Sequence, residues 1–498
     1  MDQPLYQAGP TPPTPPTPEP DAGSFSLPTT PPPPPPVNTS PPPPSSTVSI
    51  VESAPSGRSS KPFIIFGILL AVGLIAALIF STFTKFKPFQ GTTTITYWGL
   101  WESSQTMKDL IAEYEASHPK VKINYLQQNA NEYRERLNTA ISQNRGPDIF
   151  RFHNTWTPML KNFLSPIPST IMSPQEFEST FYPVAVKDLR LGGNYVGIPL
   201  EIDGLVMFVN NDLFQQTGLP IPKNWDELHI AANALARCDT PTGKCTPNSR
   251  ILVAGAGLGS TQNVDHWQDI LAVLMLQNNV NLSRPHLPDP TPANDAISYF
   301  NSFSQNDYIW SSNLPTSTSL FAAGKLGIYF GPSWRVFDIL ALNSQLKFST
   351  YPLPQLPVDP AKNEREITYA GYWVEGVNNK SKVMADAWSF LKFLSSKDSL
   401  QKLYSKSITP QRPFGEPYSR VDLGSQIQSA PFVGPIITQA PWATSWYLAS
   451  FSYDGKTGIN TRLSDVYANA LNGQTSLTEA STSINQILAE YGIQTSAP

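Results

Sequence analysis

Three places in the chain set tryptophan beside a carboxylate, an amide or a guanidinium at the end of a strand-like run: Trp98, Trp101 and Glu102; Asn154 and Trp156; Trp334 and Arg335. A fourth group, Tyr372, Trp373 and Glu375, follows an expected chain crossover, and Trp442 and Trp446 lie ahead of the last helical segments. Flat indoles among polar groups suit a ring that shows an apolar C–H face and a rim of hydroxyls, because the indole covers the face while the side chains donate and accept at the rim. The competing use of any one tryptophan is core packing, since large aromatics are usually buried for their apolar area. Glu201 and Asp203 stand two apart, so on an extended segment they share a face. A glycosidase would need two carboxylates about 5 to 9 Å apart across the scissile bond, and spacing along the chain does not supply that.

Other chemistry finds little footing. Gly255-Ala-Gly-Leu-Gly259 follows a strand-like run, but its GxGxG spacing is not the dinucleotide fingerprint, and no acidic residue ends a next strand about twenty residues on. Asp265-His266-Trp267 reads as a helix start rather than a proton relay, because the five histidines form no paired or HExxH motif. No GxSxG elbow, phosphate-binding loop or kinase signature occurs. No metal, cofactor or catalytic residue is therefore expected. The formal net charge of −4 and the lack of a Lys/Arg-rich block exclude a nucleic-acid partner.

The elements that must position these residues alternate in kind. Residues 92–98 read as a strand, 104–117 place Met107, Leu110, Ile111 and Tyr114 on one helical face, and 121–126 read as a strand again, which makes a βαβ unit. A second helix carries Tyr133, Leu137, Ala140 and Ile141 on one stripe, and Arg145-Gly146-Pro147-Asp148 stops it before the strand 149–152. In open α/β sheets ligands gather beyond the carboxyl ends of strands, which is where Trp101 and the 153–156 segment fall.

Outside this α/β part the chain changes character. Residues 63–80 hold no charge and no strongly polar side chain. At about 1.5 Å per residue that run covers roughly 27 Å, and the expected transmembrane helix extends over 62–84. Arg58 and Lys61 flank one end and Lys85 and Lys87 the other, so flanking charge does not orient it. Residues 1–60, with prolines at 31–36 and 41–44, hold too few large apolar side chains for a core and read as a disordered spacer or a ligand for proline-binding modules. Cys238 and Cys245 enclose the turn-rich DTPTGK; reduced thiols are the alternative, and a zinc site would need two further ligands that no nearby residue supplies. A disulfide there favours an oxidising, external setting for the large domain.

Several ordered segments then carry a family resemblance: ITYWGLWESSQTMKDLIAEYEASHP, NRGPDIFRF, YVGIPLEIDGLVMFVNNDLF, NWDEL, AAGKLGIYFGPSW, ADAWSFLKFLSS and TEASTSINQILAEYG. Together they resemble the family 1 extracellular solute-binding proteins, the maltose-binding-protein group that serves ABC sugar importers. The resemblance implies a type II periplasmic-binding-protein fold, two α/β lobes joined by crossing segments. After the tail (1–60), the span (62–84) and a linker (85–91), it divides the chain into a first lobe (92–203 and 352–400) and a second lobe (204–351 and 401–498). It implies a ligand site drawn from Trp98, Trp101, Glu102, Asn154, Trp156, Glu201, Asp203, Trp334, Arg335, Trp373 and Glu375, with Trp101, Trp156 and Trp334 foremost. The expected activity is capture of a mono- or oligosaccharide and its delivery to permease subunits by a monomer that needs no cofactor. The span would be the tether, since no cysteine for lipidation precedes Thr94, with the tail cytoplasmic and the large domain outside. The alternative is a membrane-bound sensor or adhesion receptor that reuses the same fold, with a non-sugar solute open.

Overall fold

The computed structural model describes residues 91–490, apart from 283, 285–288, 359–360, 362–364 and 447–457. The tail and the expected span at 62–84 lie outside the described residues. Among the described residues no helix is long and apolar enough to cross a membrane.

The expected βαβ unit forms with β1 (Thr93–Gly99), α1 (Ser104–Ser117) and β2 (Val121–Gln127), the strands paired in parallel with Thr93 opposite Val121. Ser103 caps α1 by accepting from the Thr106 amide, and the helix buries Met107, Leu110 and Tyr114. Then α2 (Tyr133–Ser142) seals its stripe of Tyr133, Leu137 and Ile141, and β3 (Ile149–His153) runs with all five residues buried. After β4 (Ile198–Pro199) the chain leaves this lobe.

The second lobe begins with β5 (Leu205–Asn210) and continues through α3 (Trp225–Leu235), β6 (Arg237–Cys238), β7 (Ile251–Ala256), α4 (Trp267–Gln277), β8 (Leu326–Pro332), α5 (Arg335–Leu342) and β9 (Phe348–Tyr351). These strands make one five-stranded sheet in the order β9-β5-β8-β7-β6, in which β8 is antiparallel to β5 and parallel to β7. β5 and β8 are buried along their whole length, as a sheet covered on both faces requires. Gly255 belongs to this packing rather than to a nucleotide loop, because a Cβ there would stand 1.9 Å from the Ala232 carbonyl oxygen of α3. Cys238 and Cys245 are joined in a disulfide beside edge strand β6.

The chain returns through β10 (Thr368–Tyr369) to β11 (Trp373–Val377), which inserts antiparallel between β3 and β4 and completes the first lobe's sheet, β2-β1-β3-β11-β4. Two boundaries differ from those read in the sequence. The segment after β9 stays with the second lobe, since Gln277 donates to the carbonyls of Pro354 and Ile367, so the return falls near residue 368 rather than 352. The helices α6 (Met384–Leu394) and α7 (Lys397–Ser407) both belong to the first lobe, because Lys402 and Lys406 of α7 pair with Glu113 and Asp109 of α1 beyond the expected limit at 400. Further on, β12 (Ala443–Thr444) pairs in parallel with β10, and α8 (Ile459–Leu471) and α9 (Leu477–Glu490) close the chain, with Gln268 of α4 bonding Ser464 of α8.

Candidate solute site at the lobe junction

Three stretches pass side by side between the lobes: 200–204, 369–372 and 416–418. Glu201 bridges Tyr418, Gly204 bridges Ala370, the Ile202 amide donates to Pro417 at 2.9 Å, and the Gly371 amide donates to Asp203 at 3.1 Å. Only glycine fits at 204, because a Cβ there would lie 2.0 Å from the Tyr369 carbonyl oxygen and 2.9 Å from the Ala370 Cα.

Asp203 ties the first stretch to the second lobe. Its carboxylate accepts from its neighbour's amide at Gly204 (2.7 Å) and from both the amide (3.0 Å) and the hydroxyl (2.9 Å) of Ser333, just past the end of β8. Burial pushes its carboxyl up to about 7 despite those three donors. Glu201 accepts the Trp373 amide at 3.0 Å and is hydrogen-bonded to Glu416, which in turn holds Arg412. Burial and then the charge of Glu416 raise the Glu201 carboxyl well above the ordinary carboxylate range, while Arg412 and the Glu201 hydrogen bond bring Glu416 below it in spite of burial. Glu201 is therefore the partner that keeps the proton and donates it to Glu416.

A second network lies beside this in the first lobe. Arg151, in the middle of β3, is 1% exposed. Its Nη1 donates to Glu102 Oε2 at 2.5 Å and its Nε to Glu375 Oε1 at 2.6 Å, and Glu375 is its register partner on β11. Burial works against the guanidinium charge, yet the two carboxylates hold it firmly protonated. Burial pushes Glu375 up to about 7; Arg151 opposes that, and Glu102, sharing the same cation, reinforces it.

The indoles meet above these groups. Trp101, 40% exposed, stands edge-on to Trp373 with centroids 5.5 Å apart, and Trp373 stands edge-on to both His153 (5.3 Å) and Trp156 (5.4 Å). Trp156 is 1% exposed and lies against Tyr133, so in this conformation it backs Trp373 instead of offering the open face the sequence reading gave it. Asn154 is likewise committed, donating to Asp188 at 2.7 Å and accepting the Tyr372 amide at 3.1 Å. Glu102 and Glu375 serve Arg151 and are sealed from solvent. Trp98 is half-buried and points to the opposite face of β1 from Tyr97, which packs against Tyr125 and Phe390 in the core.

On the second lobe Trp334 is half-buried, with the Arg335 guanidinium 4.4 Å from its ring centre. Arg335 also donates to His266 Nε2 (2.9 Å) and Asp338 (2.7 Å), which fixes it over the indole. One turn on, Phe337 meets Phe414 at 4.6 Å and the Arg412 guanidinium at 4.9 Å, so α5 reaches the residues that lead into the third crossing stretch. Trp442 lies elsewhere, at a cavity of about 810 Å³ lined also by Lys187, Gln277 and Arg365.

Sequence reasoning missed Arg151, Arg412, Glu416 and Ser333. Arg151 carried a signal: one cation inside the run IFRFH, otherwise patterned as a buried strand, demands carboxylate partners. Arg412 and Glu416 sit in the irregular PQRPFGEP, where no periodicity points to a pairing.

The model of the family described as bacterial extracellular solute-binding protein matches residues 98–401, more than half the chain and every element around the junction except the third crossing stretch. The chain belongs to that family. Among curated proteins it is similar to the diacetylchitobiose binding protein DasA of Streptomyces coelicolor, 23% identical over 270 residues, covering 51% of this chain and 58% of that relative. Similar solved structures include a cyclo/maltodextrin-binding protein complexed with maltotetraose (TM-score 0.61, 17% identity, 81% of this chain and 98% of that one). Another is an ABC transporter solute-binding protein from Thermotoga lettingae bound with α-D-tagatose (TM-score 0.60, 18% identity, 80% and 100%). The two-lobed α/β periplasmic-binding-protein fold is thereby shared across nearly the whole length of those structures.

Proposed function

We propose that this family member is a membrane-tethered extracytoplasmic receptor that takes a mono- or oligosaccharide between its lobes and hands it to an ABC importer. The observation that carries the reading is the exposed Trp101 indole propped edge-on by Trp373, whose amide is held by Glu201 of the first crossing stretch. That arrangement places an aromatic wall beside the segments that must bend when the lobes close. The named solutes of the similar proteins are sugars, which supports the substrate class. The apolar run 63–80 supports the tether, with residues 1–60 cytoplasmic and the large domain outside, and the Cys238–Cys245 disulfide supports an oxidising compartment for that domain. The protein acts as a binder: a solute touching both lobes stabilises the closed state by its differential affinity.

A thermal-shift screen of the full chain in detergent against maltotetraose, N,N′-diacetylchitobiose, tagatose, amino acids and peptides tests this. A solute at a hundred times its dissociation constant adds about 2.7 kcal/mol to the native state. The expected result is a saccharide-driven rise in Tm that Trp101→Ala and Trp373→Ala abolish. A rise produced only by a non-sugar, or one that survives in both variants, refutes the reading.

A further inference from the structure

Beside the two indoles stands a side chain that neither the charge networks nor the hinge uses. His153 ends β3 and its Nδ1 is occupied: it accepts the Thr155 amide at 3.4 Å and lies 2.8 Å from the Thr155 hydroxyl. An amide N–H can only donate, so Nδ1 is the acceptor nitrogen and the ring proton sits on Nε2. The residue is 7% exposed, and its ring plane stands edge-on to Trp373. The residue over Nε2 is Gly371 of the second crossing stretch, and a Cβ there would come 3.4 Å from that nitrogen and touch nothing else closely. Gly371 has no positive φ to explain its being glycine. Its missing side chain instead leaves the Nε2–H uncovered at the hinge, next to the aromatic wall.

We infer that the His153 Nε2–H, uncovered by Gly371, is a hydrogen-bond donor to an oxygen acceptor of the solute, such as a hydroxyl or an amide carbonyl, beside the ring that lies on Trp101 and Trp373. This rests on the reading of the lobe junction as a solute site. The donor is neutral: burial drives the imidazole down to about 3, so it donates without a positive charge of its own across the physiological range.

The test is isothermal titration of the full chain in detergent with maltotetraose and N,N′-diacetylchitobiose. His153→Phe keeps a flat ring but has no donor; Gly371→Ala keeps the imidazole and caps its Nε2. Each is expected to weaken the saccharide that the wild type binds by roughly tenfold, the worth of one hydrogen bond to a buried uncharged group. A deoxy analogue lacking the bonded acceptor should bind all three proteins alike. Unchanged affinity in both variants overturns the inference while leaving the solute site standing. If neither saccharide binds the wild type, the solute reading fails and this inference falls with it.

Discussion

Replacing Arg151 by Met removes the only cation between two sealed carboxylates. The guanidinium donates to Glu102 at 2.5 Å and to Glu375 at 2.6 Å, and all three side chains are 1–2% exposed, so no water can take over the lost bonds without opening the sheet between β3 and β11. Breaking a buried ion pair from one side costs about 3–5 kcal/mol, a large share of the 5–15 kcal/mol that separates folded from unfolded for an ordinary domain. Some of that cost is relieved by proton uptake, since Glu375 already holds its proton to about pH 7 with the guanidinium present. The loss should therefore be greater at pH 8 than at pH 5. Urea unfolding followed by tryptophan fluorescence measures it as the shift in midpoint at constant slope. The triple variant Glu102→Gln, Arg151→Met, Glu375→Gln should recover most of the loss, because it leaves no unpaired charge. A loss under about 1 kcal/mol for Arg151→Met, or one equal at the two pH values, would refute this account of the network.

Two further outcomes follow from the same junction. Glu375 and Asp203 both have folded values near 7, above their unfolded values of 4.5 and 3.8, so each contributes stability that is present at low pH and fades as pH rises through 7. Glu375→Gln, which mimics the protonated form, should be close to neutral at pH 5 and stabilise relative to wild type at pH 8 by up to about 3 kcal/mol; a stability difference from wild type that does not grow between pH 5 and pH 8 would contradict the sign. Gly204→Ala should cost about 1–3 kcal/mol through overpacking, since the new methyl meets the Tyr369 backbone rather than a side chain able to turn aside. Full stability of that variant in urea would mean the crossing stretches are not held together as described.

The elements set by local periodicity were legible from the chain alone. The unit β1-α1-β2 appears within a residue of its expected limits, and α2 buries the Tyr133, Leu137 and Ile141 of its expected stripe. Lobe limits were less legible, because a crossing is decided by tertiary partners: Gln277 keeps the segment before 368 on the second lobe, and two lysines carry α7 onto α1. Of the residues singled out by type, the structure brings Trp101, Trp373, Glu201 and Asp203 together at the lobe junction. Residue type could not say which tryptophan would be open, because that depends on Tyr133 and Trp373 enclosing Trp156 from other parts of the chain.

The junction is held by directional bonds where apolar packing would have served stability at least as well. Three buried carboxyls, Glu102, Glu201 and Glu375, and the half-buried Glu416 share two guanidiniums, Arg151 and Arg412, so charge balance there depends on retained protons. Apolar contacts are non-directional and would let three adjacent stretches slide, whereas a carboxyl that accepts one amide and donates to a second carboxyl sets their register. Glu201 does this from the first stretch, toward Trp373 at the end of the second and Glu416 in the third. Lobe movement that keeps Glu201 in place must then turn about it, and Trp373, bonded to Glu201 through its amide and set edge-on against Trp101, turns with the aromatic pair.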